Sequence, residues 1–302
     1  TMNNEIVPVE LDYRELVETY GSPLLVLDQA AVRKQYRALV KALPGVRMHY
    51  ALKPLPHSAV VATLKAEGCC FDLATNGEVD LMLENQINPD DCIHTHPIKR
   101  DGDIRYALEY GCKVFVFDNP IELEKFIPYQ DKAQLLLRVS FPNPESKVDL
   151  SKKFGCTPEA TLPLLRKAKE LGLNVIGLSF HVGSQVPNSR RHVEAITACN
   201  QLIRDAAAEN INLQVLDIGG GFPVNYAADG ADLDIYEFCA PIREALSNTP
   251  EGIRLLAEPG RFISAPCMTS VSSVMGKAER FGRMWYYLDD GLYGSYSGQL
   301  FD

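Results

Sequence analysis

A single lysine, Lys53, follows an apolar run within the stretch Val46–Pro56. Apolar and aromatic residues favour a buried strand, and Pro54 and Pro56 cannot continue its hydrogen-bond ladder. We therefore expect Lys53 where a strand gives way to a loop. An amine held in a cleft at such a point is desolvated, which favours the neutral form that makes a Schiff base with an aldehyde. Because most lysines lie on the surface, this position alone does not separate a catalytic amine from an exposed one.

A carboxylate and a guanidinium follow another apolar run, in Ala257-Glu-Pro-Gly-Arg261. An unpaired carboxylate at the end of such a run is costly, so Glu258 needs a positively charged partner. Arg261 is one candidate. The other is a ring nitrogen of a bound molecule, which Glu258 would hold in its protonated form.

Three consecutive glycines, in Gly219-Gly-Gly-Phe-Pro223, allow close approach of the backbone and present N–H groups that suit an anion such as phosphate. The segment lacks the Walker pattern, and a triple glycine is also common in ordinary turns. Arg261 offers a bidentate cation for the same phosphate. His181 is suited to proton transfer or to stacking on a ring, although a lone histidine after a strand is more often structural.

The segments around these residues alternate between strand-like and amphipathic helical patterns, which predicts parallel strands connected by helices. The predicted strands are Met48–Lys53, Cys70–Ala74, Cys92–His96, Val114–Asp118, Gln134–Val139, Val175–Val182, Val215–Gly219 and Arg254–Glu258. The predicted helices are Ser58–Glu67, Gly77–Glu84, Asp103–Tyr110, Pro120–Phe126, Ala160–Leu171, Val193–Glu209 and Leu233–Leu246. Eight strands in this order favour an α/β protein with a TIM-like (β/α)8 barrel, and an open doubly wound sheet is the alternative.

The barrel is favoured because chemically capable residues recur at the C-terminal ends of the strands, where barrel enzymes build their sites. They are Lys53, Asp72, His94, His96, Arg138, His181, Ser184, Gly219–Gly221, Glu258 and Arg261. An amine, a phosphate-binding loop, an aromatic ring and a carboxylate for a ring nitrogen together predict a pyridoxal 5'-phosphate site.

Six motifs occur in order from residue 50 almost to the last residue. They are Tyr50-Ala-Leu-Lys53, Phe71-Asp72, His181-Val-Gly-Ser184, Asp217-Ile-Gly-Gly-Gly-Phe-Pro223, Ala257-Glu-Pro-Gly-Arg261 and Asp290-Gly-Leu-Tyr-Gly-Ser295. This set resembles the pyridoxal phosphate decarboxylases with an alanine-racemase-type barrel. Within that family it is most similar to the ornithine decarboxylase group, and there to the bacterial lysine/ornithine decarboxylases.

The resemblance implies a role for each matching residue. Lys53 would hold the cofactor aldehyde, Glu258 would pair with the pyridine nitrogen, and His181 would stack on the ring. Phosphate contacts are implied for Ser184, Gly220, Gly221 and Arg261, and places around the lysine and the ring for Asp72 and Arg138. Asp302 would bind the distal ammonium of the substrate, and Tyr293 is a further substrate-binding candidate.

The implied activity is decarboxylation of lysine, ornithine or both to cadaverine and putrescine, in polyamine biosynthesis by a homodimer with shared active sites. Diaminopimelate or arginine decarboxylation and a noncatalytic homologue that binds the cofactor are the alternatives. In the family, later strands of the β domain carry a cysteine that protonates the product and a tyrosine that contacts the phosphate. None of the eight cysteines here matches that cysteine, so the activity of this chain alone stays open.

The expected organisation follows from this comparison of motifs. Residues 1–30 would pack with the β domain, residues 31–262 would form the barrel, and residues 263–302 would begin an incomplete β domain. Antiparallel strands are predicted at Met268–Met275 and Met284–Leu288, separated by a charged turn at Gly276–Arg283, and Asn143–Gly155 is a candidate lid.

Composition narrows the classes of partner. The net charge of −9 argues against nucleic acid and anionic membranes and is compatible with a cationic substrate. No run reaches the length of a membrane span and the first residues lack signal-peptide features, so we expect a cytoplasmic protein. The eight cysteines show no disulfide or zinc spacing, and although His94 and His96 can share one strand face, no metal site is expected.

Overall fold

The computed structural model describes residues 10–142, 152–225 and 233–296. Its strands are β1 Leu24–Leu27, β2 Val46–Ala51, β3 Cys70–Leu73, β4 Cys92–His94, β5 Val114–Phe117, β6 Gln134–Arg138, β7 Val175–Ser179, β8 Val215–Asp217, β9 Arg254–Ala257, β10 Met268–Val271, β11 Val274–Arg280 and β12 Arg283–Leu288. Its helices are α1 Tyr13–Tyr20, α2 Gln29–Ala42, α3 Ser58–Ala66, α4 Asn76–Glu84, α5 Asp101–Tyr110, α6 Pro120–Glu124, α7 Pro158–Glu170, α8 Arg190–Ala208, α9 Ile235–Phe238, α10 Ala240–Leu246 and α11 Arg261–Ser264.

Strands β2 to β9 form a closed parallel barrel in sequence order, and β9 pairs with β2 at Met48 and Ala257. Closure confirms the (β/α)8 barrel, and the open-sheet alternative is wrong. All eight predicted barrel strands are present, with ends that differ from the prediction by a few residues. Their C-terminal ends therefore surround one opening.

Two apolar clusters stabilise the barrel. The larger one packs the helices against the strands. The smaller one comprises Val116, Leu136, Ile176, Val215 and Leu256, one from each of β5 to β9. Successive residues of a strand point to opposite faces, so a strand that is buried on both faces contributes side chains to both clusters. The continuous apolar runs in these segments predict such two-sided burial.

Two antiparallel pairs lie outside the barrel. Strand β1 pairs with β10, with Leu24 opposite Val271, and β11 pairs with β12. The first pair joins the N-terminal segment to a strand that follows the barrel. This pairing is consistent with the proposed domain organisation, whose boundaries stay a prediction.

The predicted charged turn at Gly276–Arg283 is wrong. Strand β11 includes residues 274–280, and the turn is confined to Phe281 and Gly282, both with positive φ. Arg280 pairs with Arg283, so this is a two-residue hairpin loop, for which such φ values are required. Lys277 and the neighbouring charged residues therefore lie in an exposed strand.

The predicted helix Leu233–Leu246 is interrupted, and α9 and α10 meet at Cys239. Pro241 lacks the N–H that a continuous helix requires, and it lies in the first turn of α10, where that N–H is not needed. All eight cysteines are buried free thiols. Among the described helices, none has both the length and the apolar character that a membrane crossing requires.

Candidate cofactor site

Lys53 follows β2 by two residues, where the chain leaves the barrel, as predicted. The loop that carries it is held on both sides: the Tyr50 hydroxyl donates to the carbonyl of Leu55 at 3.1 Å, and the N–H of Leu52 donates to the carbonyl of Asp72 at 3.4 Å. The amine of Lys53 has no hydrogen-bond or ion-pair partner within the described ranges. It is therefore available to react with a bound molecule.

A cavity of about 230 Å³ opens at this end of the barrel. Five of the residues to which the resemblance assigns a role line it together. They are Lys53, Asp72, Arg138, His181 and Glu258. The barrel register explains part of this convergence, because Arg138, Ser179 and Asp217 are direct partners on three neighbouring strands.

Three carboxyl groups cluster at the floor of the site, on Asp72, Asp217 and Glu258. Burial raises the pKa of Asp72 to about 8, and the charge of Asp217 adds to the effect. Burial and the charge of Asp72 likewise raise the pKa of Glu258 to about 8, against the opposing charge of Arg138. The Thr95 hydroxyl donates to Asp72 at 2.5 Å. The cluster therefore retains protons near neutral pH.

Glu258 and Arg261 form no ion pair within the described residues. The backbone explains this, because Glu258 directly follows β9 while Arg261 begins α11 after the turn at Pro259 and Gly260. The first of the two alternatives for Glu258 is therefore wrong. A ring nitrogen remains as the partner proposed for its carboxyl group.

His181 faces the cavity with one ring nitrogen already engaged. The N–H of Gly183 donates to its Nδ1 at 3.0 Å. Desolvation, followed by the positive charge of Arg138, lowers the pKa of His181. The imidazole is thus neutral, with its proton on Nε2, and its flat ring is suited to stacking more than to binding an anion.

The glycine loop leaves no room for side chains. A Cβ on Gly220 would lie 2.7 Å from the carbonyl oxygen of Glu258, and one on Gly221 would lie 2.6 Å from that of Gly183. The N–H groups of Gly220 and Gly221 have no hydrogen-bond partner among the residues that the structure describes. Free N–H groups on glycines that have no space for a side chain are typical of an anion-binding loop.

Other predicted site residues lie apart from the cavity lining. Ser184, Gly220, Gly221 and Arg261 lie outside it, on the side of the glycine loop and α11. Tyr293 is 96% exposed and lies far along the chain from the barrel, after the β11–β12 hairpin. Asp302 and most of the Asn143–Gly155 lid lie outside the described residues.

The sequence prediction missed several lining residues, chiefly Phe154 and Thr95. The ring of Phe154 lies edge-on to His96, at 6.1 Å between centroids. His94, by contrast, packs against Phe115, and no group of three or more potential ligands forms a metal site in the described parts of the chain. The Phe-Gly pair at the end of the long loop was the available signal for Phe154, because an aromatic residue before a glycine suits a chain that turns back to the barrel.

Comparisons with known proteins place this site in a family. Residues 29–265 match the model of the pyridoxal-dependent decarboxylases, pyridoxal binding domain. A lysine/ornithine decarboxylase of Selenomonas ruminantium is 32% identical over 97% of this chain and 74% of that protein. Ornithine decarboxylase of Rattus norvegicus is 34% identical over 92% of this chain but only 63% of its own length.

A solved structure gives the same result. Lysine/ornithine decarboxylase of Vibrio vulnificus, complexed with putrescine, superposes with a TM-score of 0.90 at 56% identity, over 96% of this chain and 77% of that one. The closed eight-stranded barrel agrees with these matches. The chain belongs to the family of pyridoxal-dependent decarboxylases.

Proposed function

We propose that this chain contributes to the decarboxylation of a basic amino acid, lysine or ornithine, and yields cadaverine or putrescine with pyridoxal 5'-phosphate as cofactor. The observation that carries the proposal is the unpartnered amine of Lys53 in one cavity with His181 and Glu258. The chain spans less than two thirds of the length of the rat enzyme and 74% of the Selenomonas one. The complete activity is therefore part of the proposal.

The site fits the cofactor at both ends. At one end, the free N–H groups of Gly220 and Gly221 suit a phosphate group. Ser184 follows Gly183 and Arg261 comes three residues after Glu258, and the carbonyls of Gly183 and Glu258 both lie against this loop. At the other, Lys53 suits an aldehyde. We assign phosphate binding to these four residues and covalent attachment to Lys53.

When bound, the cofactor supplies an electron sink for the pair released with carbon dioxide. Glu258 would lie at the pyridine nitrogen, and its raised pKa keeps a proton available there at neutral pH. Asp72 lies beside Glu258, and ionisation of Asp72 would raise the pKa of Glu258 further. Neutral His181 offers a flat face for the ring without adding a charge.

Substrate selection is assigned to Asp302, with Tyr293 as a second candidate. A carboxylate attracts the distal ammonium of lysine or ornithine, and this remote contact would help to orient the bond that breaks at the reacting carbon. The net charge of −9 is consistent with a cationic substrate. The same arrangement disfavours diaminopimelate, which carries a distal carboxylate.

Carbon dioxide release from lysine, ornithine, arginine and diaminopimelate tests the proposal. We expect release from lysine or ornithine and a loss on Asp302→Ala that Asp302→Glu partly restores. Release from diaminopimelate alone would contradict the substrate assignment. Cofactor binding without release from any of the four would favour the noncatalytic alternative.

We also propose a homodimer, because the family's sites are shared between subunits, and a cytoplasmic location. Sedimentation velocity of the cofactor-loaded protein should show a dimer. A fully active monomer would contradict the shared site. Cell fractionation tests the location.

A further inference from the structure

Each carbonyl of the glycine loop accepts a hydrogen bond. The carbonyl of Gly219 accepts from the N–H of Glu258 at 2.7 Å, and that of Gly221 accepts from the N–H of Val186 at 3.4 Å. The carbonyl of Gly220 accepts from Nε2 of His192 at 2.8 Å. Of these three bonds, only the last is made by a side chain.

A bond to a carbonyl fixes the direction of the next N–H. In a trans peptide the C=O of one residue and the N–H of the following residue point in opposite directions within one plane. His192 holds the carbonyl of Gly220, so it also sets the direction of the N–H of Gly221. That N–H has no partner within the described ranges, which leaves it free for a phosphate oxygen.

The surroundings of His192 fix the orientation of its ring. It is fully buried in the first turn of α8, stacked on Phe222 at 5.5 Å between centroids and edge-on to Phe238 at 6.1 Å. Burial lowers its pKa to about 4, so the ring is neutral at physiological pH. Because a carbonyl only accepts, Nε2 carries the proton, and Nδ1 has no partner among the described residues.

We propose that His192 is a positioning residue for cofactor phosphate: through the carbonyl of Gly220 it aims the N–H of Gly221 at the phosphate group. His192 lies outside the cavity lining and outside the motifs that relate this chain to its family. The inference rests on the proposed placement of the phosphate at the glycine loop. His192 would thus affect the affinity for the phosphate group without contacting the cofactor.

The ratio of affinities for pyridoxal 5'-phosphate and pyridoxal isolates the phosphate contribution, because the two ligands differ only in that group. Fluorescence titration of the cofactor-free protein gives both values. In His192→Phe, which keeps an aromatic ring but removes the donor, we expect the ratio to fall about tenfold, as for one hydrogen bond to a charged group. In His192→Gln, whose amide offers a donor at a similar reach, we expect most of the ratio to return.

His49→Phe is the matched control. His49 is also buried, has a pKa lowered to about 4 by burial, and bonds through its ring to a backbone carbonyl, that of Phe71. This variant should lose stability without a change in the ratio. An equal fall in the ratio for His49→Phe would overturn the inference, because the effect would then be a general result of a damaged core. His192→Met replaces His192→Phe if the latter does not fold.

Gly221→Ala separates failure of this inference from failure of the proposed site. Its Cβ would collide with Gly183, and its φ of +89° is strained for alanine. If Gly221→Ala lowers the ratio but His192→Phe does not, His192 is not a positioning residue and the phosphate site stands. If Gly221→Ala and Arg261→Met both leave the ratio unchanged, the phosphate does not bind at the glycine loop. Both the proposed phosphate site and the role of His192 would then be wrong.

Discussion

The ring of Phe154 lies over the guanidinium of Arg138, with the guanidinium carbon 5.4 Å from the ring centroid. Arg138 has no hydrogen bond from its side chain among the described residues, so this contact and the attraction of carboxyl groups such as Glu258 and Asp118 orient it. Phe154 is itself held by the next residue: the N–H of Gly155 donates to Asp118 at 2.7 Å. The long loop thus returns to the barrel with an aromatic ring in the cavity wall.

Replacement of Phe154 by alanine should weaken cofactor binding. The cation–π contact contributes on the order of 1 kcal/mol, so we expect the Kd for pyridoxal 5'-phosphate to rise about fivefold. Cofactor fluorescence titration measures this change. Phe154→Tyr keeps the ring and should bind as the unaltered protein does; equal losses in both variants would contradict a role for the aromatic face.

Replacement of Thr95 by valine should destabilise the protein by about 1–3 kcal/mol, because the buried carboxyl group of Asp72 loses its donor. Denaturant unfolding of the cofactor-free protein measures the loss. Thr95→Ser keeps the hydroxyl and should cost less than half as much. A valine variant as stable as the serine variant would show that the bond contributes nothing.

The stability of the cofactor-free protein should fall as the pH rises from 7 to 8. The pKa of Glu258 is about 8 in the folded state and near its ordinary value of 4.5 when unfolded, so the folded state binds more protons in this interval. The stabilisation is complete below the unfolded pKa and is lost as the pH passes the folded one. For this one group, the loss between pH 7 and 8 is roughly 1 kcal/mol.

Glu258→Gln isolates this effect, because glutamine does not titrate. Free energies of unfolding measured at both pH values should show a smaller decrease in the variant than in the unaltered protein. Glu84→Gln, the same substitution at an exposed position of α4, should keep the full decrease. Identical decreases in all three proteins would mean that Glu258 does not hold a proton at neutral pH.

Replacement of Lys99 by methionine should destabilise the protein by about 3 kcal/mol, because it disrupts a buried ion pair. The Lys99 amine contacts Glu122 at 3.1 Å and donates to the carbonyls of His96 and Val116, both of which line the cavity. Thermal and denaturant unfolding measure the loss. Lys125→Met, at the more exposed partner of the same carboxylate, should cost less than half as much, and equal costs would contradict this account.

Much of the barrel and its site was predictable because apolar strands and polar strand ends are local patterns. Lys53, Asp72, Arg138, His181 and Glu258 each lie in or directly after an apolar run, and closure of the barrel brings all five to one cavity. The order of strands and helices, together with the polar strand ends, favoured that closure over an open sheet.

The contacts of Phe154 and His192 were not predictable in this way. Each depends on a contact between distant segments, Gly155 with Asp118 and His192 with Gly220. In the sequence, Phe154 lies in a long loop, and His192 lies just before the predicted helix Val193–Glu209. Neither position in the sequence indicates which residue the side chain or its neighbour will contact. The absence of a Glu258–Arg261 pair in the described residues likewise depends on the turn between them, which residue types alone do not determine.

We propose above that Lys53 binds the cofactor covalently. Borohydride reduction of the cofactor-loaded protein, followed by peptide mass mapping, tests it most directly. We predict a single modified lysine, Lys53, and loss of both the modification and the visible absorbance in Lys53→Ala. Modification of another lysine, or an unchanged spectrum in Lys53→Ala, would contradict the account.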